Sequence, residues 1–181
     1  MARSLETVRE TLLVVRSQTG DENAFRELVE RYTPRLRYFL QKLAPESMLV
    51  DDMLQDVWLN VFRSITRLKN VITFPAWIYR IARMRVAVEF RRRHLELQTV
   101  DDYPMEAIPD SRLISDFLLV DAERIHLALD RLPAAQREVL ILRFLEDMSY
   151  EDIASIVESP VGTVRSRLFH AKCGLRRILE S

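Results

Sequence analysis

Apolar residues recur at helical spacing along most of this chain, and the places where the spacing lapses divide it into segments. Residues 5–17 read as a short helix ending before Gly20, and Asp21 is placed to cap a second helix over roughly residues 22–43, which Pro45 closes. From Ser47 onward Val50, Leu54, Val57, Trp58, Val61, Phe62 and Ile65 keep one helical face apolar. A loop over residues 69–74 precedes Pro75, which opens a helix to about His94. The periodicity then fades. Residues 96–115 hold Asp101, Asp102, Glu106 and Asp110 together with Pro104 and Pro109, the composition of a linker. Helical spacing returns by Leu118 and lasts through Leu132, and Pro133 starts another helix to about Leu145. Strand signals are nearly absent. The pattern predicts an all-α chain of two small helical domains, residues 1–95 and 122–181, joined by a flexible acidic linker over 96–121.

The most specific segment is residues 149–172, SYEDIASIVESPVGTVRSRLFHAK. Ser149 and Asp152 have the spacing of a capping box, and Ile153, Ile156 and Val157 give the helix they start one apolar face. Glu158-Ser159-Pro160 ends it, and Pro160 suits the start of a second helix. In that second helix Val164, Leu168, Ala171, Leu175 and Ile178 repeat toward a core. Arg165, Ser166, Phe169, His170 and Arg177 fall on the opposite face, with Arg167 and Lys172 on its flanks. No Asp or Glu occurs between Ser159 and Leu179. Solvated helices ordinarily mix both signs, so an acid-free second helix of a helix-turn-helix points to the phosphate-lined groove of duplex DNA.

Charge supports this reading once it is taken by segment. The formal net charge is zero, yet residues 1–95 hold 17 basic against 11 acidic side chains, and residues 96–122 hold one against seven. Of the 27 basic residues 24 are arginine, the side chain suited to bidentate contacts with phosphate and guanine. The single Cys173 excludes an internal disulfide, and His94, His126 and His170 form no metal-ligand spacing, so no metal or cofactor is expected. The absence of a transmembrane-length apolar run or an opening signal peptide leads to the expectation of a soluble cytoplasmic protein with no membrane insertion.

Two further surfaces stand out. In residues 75–94, Trp77, Ile78, Ile81 and Val88 mark a buried side, while Arg80, Arg83 and Arg91 project from the other with Tyr79 and Phe90 nearby. Cations interleaved with rings suit single-stranded nucleic acid. The alternative makes Trp77 and Tyr79 core residues and Arg91-Arg92-Arg93 a solvated helix end. Arg85 falls on the apolar side with no evident reason. On the helix from Ser47, Asp52, Gln55, Asp56, Asn60 and Arg63 face outward, flanked by Met53 and Leu59. Apolar residues within an acidic face suit a protein partner. Paired Asp51-Asp52 could instead signal metal or acid–base chemistry, but no His or third carboxylate converges on them.

Together the motifs D-x-x-x-Q-D-V-W-L-x-V-F from Asp51, F-P-A-W-I-Y-R-I-A-R from Phe74, L-P-x-x-Q-R-E-V-L-x-L-R-F from Leu132, S-Y-E-D-I-A from Ser149 and P-V-G-T-V-R-S-R-L from Pro160 resemble an extracytoplasmic-function (group IV) sigma factor of the sigma-70 family. The resemblance implies a non-catalytic subunit with a sigma-2 domain that melts the −10 promoter element and a sigma-4 domain that reads the −35 element. Both domains would be mounted on core RNA polymerase through its β′ clamp helices and β flap. It places Asp52, Gln55, Asp56 and Asn60 against the clamp helices and Trp77, Tyr79, Arg80, Arg83, Met84 and Arg91 along the captured −10 strand. Arg165, Ser166, Phe169 and His170 would enter the −35 groove, with Thr163, Arg167 and Lys172 at its phosphates. It also implies an anti-sigma factor as a partner, and threads the acidic linker through the polymerase. The chain departs from the family pattern in carrying Met84 for an asparagine of the base pocket, His170 for a groove arginine and Glu158 for a turn glycine. The rival readings are a stand-alone, dimeric helix-turn-helix repressor and, with no catalytic constellation to support it, a helical enzyme.

Overall fold

Capping and amphipathic periodicity produce helices wherever the computed structural model describes the chain, which is over residues 2–44, 49–92 and 122–180. Among those residues every regular element is helical. The chain divides into two units, Met1–Glu96 and Leu97–Ser181. The predicted linker over 96–121 lies outside the described residues, as do Pro45, Ser47, Arg93 and His94.

The first unit holds α1 (Ala2–Gln18), α2 (Glu22–Leu43), α3 (Val50–Ser64) and α4 (Phe74–Arg92), with two short 3₁₀ turns, Ile65–Arg67 and Val71–Thr73, between the last two. Asp21 caps α2 as its sequence position predicts, accepting 3.0 Å hydrogen bonds from the backbone N–H of Asn23 and Ala24. Those backbone donors, Ala24 first, and the Arg16 guanidinium hold the Asp21 carboxyl below the usual carboxylate range. A depressed folded-state pKa means that this cap contributes stability above the ordinary Asp range and loses it as pH falls through the lowered value. The core is built from the inward faces of the helices: Leu28, Leu36, Phe39 and Leu40 of α2, Val57 and Val61 of α3, and Phe74, Ile78 and Ala82 of α4 are fully buried. Each large member contributes about 1.5–3 kcal/mol of apolar burial. Edge-on ring pairs, Tyr32–Phe74 at 5.4 Å and Phe39–Tyr79 at 5.1 Å, lock α4 onto α2. Burial pushes the Tyr32 hydroxyl far above the ordinary tyrosine range, with Glu10 beside it adding to the shift, so it stays protonated.

The second unit holds α5 (Ala122–Asp130), α6 (Ala134–Leu140), α7 (Tyr150–Val157) and α8 (Val161–Glu180). The helix expected to run on to Leu145 widens after Leu140 into a π turn, Ile141–Leu145. Closing bonds from Glu146 N–H to the Ile141 carbonyl (3.1 Å) and from Met148 N–H to the Leu142 carbonyl (3.0 Å) fold the chain back. Ser149 then caps α7: its hydroxyl accepts from Asp152 N–H at 3.0 Å and donates to the Asp152 carboxylate at 2.7 Å. Buried Ile153, Ile156 and Val157 of α7 face buried Val164, Leu168, Ala171 and Leu175 of α8. Gly174 allows α8 to pass Leu132 closely, since a Cβ there would lie 2.9 Å from the Leu132 side chain.

Glu158 ends α7 in the left-handed region, at φ 53° and ψ 45°, where an L side chain costs about 1–2 kcal/mol. Glu158→Gly is therefore expected to stabilise the second unit by about 1 kcal/mol, read as a higher Tm in a calorimetric scan. An unchanged or lower Tm would mean that the Glu158 side chain compensates for its backbone.

Candidate nucleic-acid and protein-docking surfaces

The outward side of α3 begins in its first turn, where Asp51 and Asp52 meet the positive end of the helix dipole. Asp51 is paired with Arg37 of α2. Asp52 and Gln55 are exposed and make no hydrogen bond or ion pair among the described residues. Asn60 is exposed, and its carbonyl and side-chain oxygens accept from the Ser64 hydroxyl at 2.5 and 3.2 Å. Asp56 is half exposed and receives the Arg85 Nε of α4 at 2.7 Å. The four polar docking candidates therefore do share one solvent face.

Its apolar component differs from expectation. Met53, expected at the rim, is buried, because it lies one turn before Val57 and two before Val61, on the side that packs against α2 and α4. Phe62, expected in the core, is exposed, its ring resting edge-on against Phe25 at 5.4 Å. Leu59 is exposed as expected. The surface is thus acidic and amide-rich, with Leu59 and Phe62 as its apolar patches.

On α4, Trp77, Arg80, Met84, Val88 and Arg91 recur along one outward stripe, with Arg83 half-buried at its edge. Trp77 is half-buried, its ring tilted against Phe74 at 5.9 Å, so one part of the indole stays accessible. Tyr79 is corrected: it is fully buried against Phe39 and cannot meet a base. It lies two positions from Trp77, about 200° around the helix, so the two rings cannot share a face. Val88, expected on the buried side, is exposed, and Ile81 is half-buried. Arg85 acquires a reason that periodicity could not supply. Besides Asp56 it lies 3.4 Å from Glu89, a buried carboxylate that Arg92 also approaches at 3.4 Å. A buried carboxylate requires such cations.

On α8, Arg165 is exposed and Ser166, Phe169 and His170 are half-buried along the face opposite the core. The Phe169 and His170 rings meet edge-on at 5.3 Å, and the Ser166 hydroxyl donates to the Thr163 carbonyl at 3.0 Å. Arg167 reaches back to the Ser159 hydroxyl at 3.3 Å, bracing the turn between α7 and α8. Lys172 is the second correction. It is buried, with its ammonium 5.3 Å from the centre of the Phe144 ring, and so is not displayed toward phosphate. Two residues that the sequence reading missed support Arg165: its guanidinium lies 5.5 Å from the centre of the Tyr150 ring, which Arg143 also approaches at 5.3 Å. The start of α7 at Ser149 hinted at Tyr150. Arg143 rides on the π turn, where helical periodicity gives no direction.

The two units correspond to known families. Residues 28–95 match Sigma-70 region 2 and residues 122–172 match Sigma-70, region 4. The RNA polymerase sigma-H factor of Pseudomonas aeruginosa is 30% identical over 178 residues, spanning 93% of this chain and 92% of that protein. The ECF RNA polymerase sigma-E factor of Haemophilus influenzae is 32% identical over 181 residues, spanning 92% and 93%. That of Escherichia coli is 29% identical over 180 residues, spanning 92% of each. Among solved structures, CnrH in complex with the cytosolic domain of CnrY has a TM-score of 0.66 at 22% identity, covering 95% of this chain and 97% of that one. The sigma factor RpoE in complex with the anti-sigma factor NepR from Bartonella quintana has a TM-score of 0.66 at 24% identity, covering 86% and 96%. At those identities the two structures speak to the fold alone. With both regions matched in order and relatives aligned over nine-tenths of its length, the chain belongs to the extracytoplasmic-function sigma factors of the sigma-70 family.

Proposed function

We propose that this chain binds core RNA polymerase through α3, captures the separated −10 strand along α4 and reads the −35 element with α8. Asp52, Gln55, Asp56 and Asn60 would meet cationic and polar groups of the β′ clamp helices, with Leu59 and Phe62 supplying apolar burial. Trp77 offers an indole face for a flipped base, while Arg80, Arg83 and Arg91 hold the backbone around it. Met84 is exposed within that stripe and offers a base neither a strong donor nor a strong acceptor. It would contribute apolar contact where the family carries asparagine.

In the −35 groove, Arg165, Ser166, Phe169 and His170 supply the base-facing surface, with Thr163 and Arg167 near the backbone. The second unit would sit on the β flap. The acidic segment 96–121, read from its sequence, would occupy a polymerase channel that accommodates nucleic acid. An anti-sigma factor is the expected restraint, consistent with the complex in which the Bartonella quintana RpoE neighbour was solved. The chain would work where the polymerase is, in the cytoplasm. Among its described residues no helix is long and apolar enough to cross a membrane.

The single observation that carries this reading is the second helix of the helix-turn-helix, α8, free of acid from Val161 to Leu179, lying in the same chain as the partner-ready face of α3. A stand-alone repressor would need the first but not the second. Purified protein is therefore expected to co-elute with core polymerase and to direct initiation at a cognate promoter. Tight binding to a palindromic duplex in the absence of polymerase would favour the repressor instead.

The groove assignment has its own test. His170→Arg is expected to shift the −35 preference toward guanine at one position by about 1–3 kcal/mol, since Arg donates bidentately to O6 and N7. A randomised −35 library transcribed by wild type and variant would read this out. An unchanged preference would place the wrong face of α8 in the groove.

A further inference from the structure

One guanidinium on α4 is shared between two carboxylates of different standing. Arg85 donates its Nε to Asp56 at 2.7 Å, and both of its terminal nitrogens lie 3.4 Å from one oxygen of Glu89. Asp56 is 50% exposed on the docking face, whereas the Glu89 side chain is only 6% exposed and cannot reach a partner. Arg85 itself is 21% exposed. Arginine can grip a carboxylate with two parallel bonds. Here it makes one short contact to the exposed acid and two long ones to the buried acid, so a second, closer seat on Glu89 lies within a small side-chain movement.

We propose that Arg85 is a positioning residue that competes with the polymerase for Asp56 and uses the buried Glu89 as its alternative seat. The inference rests on the reading of Asp56 as a docking residue. In the free protein Arg85 holds Asp56 and offsets part of the negative charge that a cationic partner would meet. When a polymerase cation takes Asp56, Arg85 closes on Glu89 rather than being left with no carboxylate. The two α4 residues therefore act with opposite sign. Removing Arg85 frees Asp56 for the partner, whereas neutralising Glu89 takes away the seat that Arg85 needs in order to let go.

Affinity of the full chain for core polymerase, measured by titration at about 0.1 M ionic strength where exposed charges are only partly screened, tests this. Arg85→Met is expected to tighten binding about two- to fivefold, the scale of a half-exposed ion pair. Glu89→Gln should weaken it by a similar factor, the double variant should follow Arg85→Met, and in an Asp56→Asn background the effect of Arg85→Met should vanish. Weaker binding by Arg85→Met, or a shift of both single variants in one direction, overturns the proposal, because either result would mean that Arg85 contacts the polymerase or only supports the fold. If Arg85→Met alone does not fold, the double variant, which leaves no buried anion behind, carries the same expectation of tighter binding. Unchanged affinity in Asp56→Asn alone overturns the docking assignment itself, and the competition with it.

Discussion

Lysine at both Asp52 and Asp56 is expected to abolish binding to core RNA polymerase while the helical content of the chain stays as it was. Asp52 is exposed with no partner among the described residues, so reversing its charge removes no internal contact. Asp56 gives up one half-exposed ion pair with Arg85, worth no more than about 1 kcal/mol to the fold. At a docked interface the same reversals turn two attractions into repulsions and leave partner cations desolvated without a counter-charge. Each such loss costs about 2–5 kcal/mol, so the pair should reduce affinity by roughly a thousandfold or more. Co-purification with core polymerase beside a circular-dichroism spectrum separates the outcomes. Normal co-purification of a folded double variant would remove α3 from the docking surface.

Alanine at both Arg80 and Arg83 should produce the second-largest effect, confined to one step. Opening a promoter costs unstacking and unpairing energy that capture of the separated strand must offset, a few kcal/mol for each flipped base. A pre-melted template has already met that cost. Losing two guanidinium contacts should therefore lower open-complex formation on duplex promoters by roughly tenfold to a hundredfold, with a distinctly smaller loss on a template carrying a preformed bubble. Permanganate reactivity of unpaired thymines reports both. Equal losses on the two templates would assign these residues to general attraction for DNA rather than to strand capture. Trp77, proposed as the ring for a flipped base, belongs in the same series, and Tyr79 does not, since truncating Tyr79 would open a cavity beside Phe39.

The buried carboxylate on α4 alters how its cationic end should be read. Arg91 and Arg92 both project into solvent, but Arg92 is tied to Glu89 and Arg91 makes no ion pair among the described residues. Arg91 is the more available of the two for a phosphate.

Much of this protein was legible along the chain because the signals are local. Asp21 and Ser149 announce helix starts through the hydrogen bonds that their own side chains make within the next turn. Glu158-Ser159-Pro160 announces a stop, and Glu158 duly adopts the left-handed conformation. The apolar repeats that assign Val164, Leu168, Ala171 and Leu175 to the core depend only on the helical period. The absence of acid from residues 160–179, all but the last residue of α8, is a property of composition, and no packing can alter it.

What periodicity could not decide is the fate of residues at the margin of a face. A helical wheel places a side chain in angle but does not say how far the neighbouring helix extends over the flank, which depends on crossing geometry and on the sizes of the side chains opposite. Lys172 and Arg165, two turns apart on α8, divide for that reason: Phe144 covers the first, whereas the second stays exposed beside the Tyr150 ring. Met53 and Phe62 exchange roles on α3, and Tyr79 leaves the strand-binding set for the core, by the same principle. Arg85 is the clearest case, because its two carboxylates sit 29 positions away on another helix and four positions away on its own. By itself the sequence determined the helices, their ends, the cationic faces and the family. Only the tertiary structure decided which marginal side chains those faces present, since that depends on contacts between helices rather than on the period within any one of them.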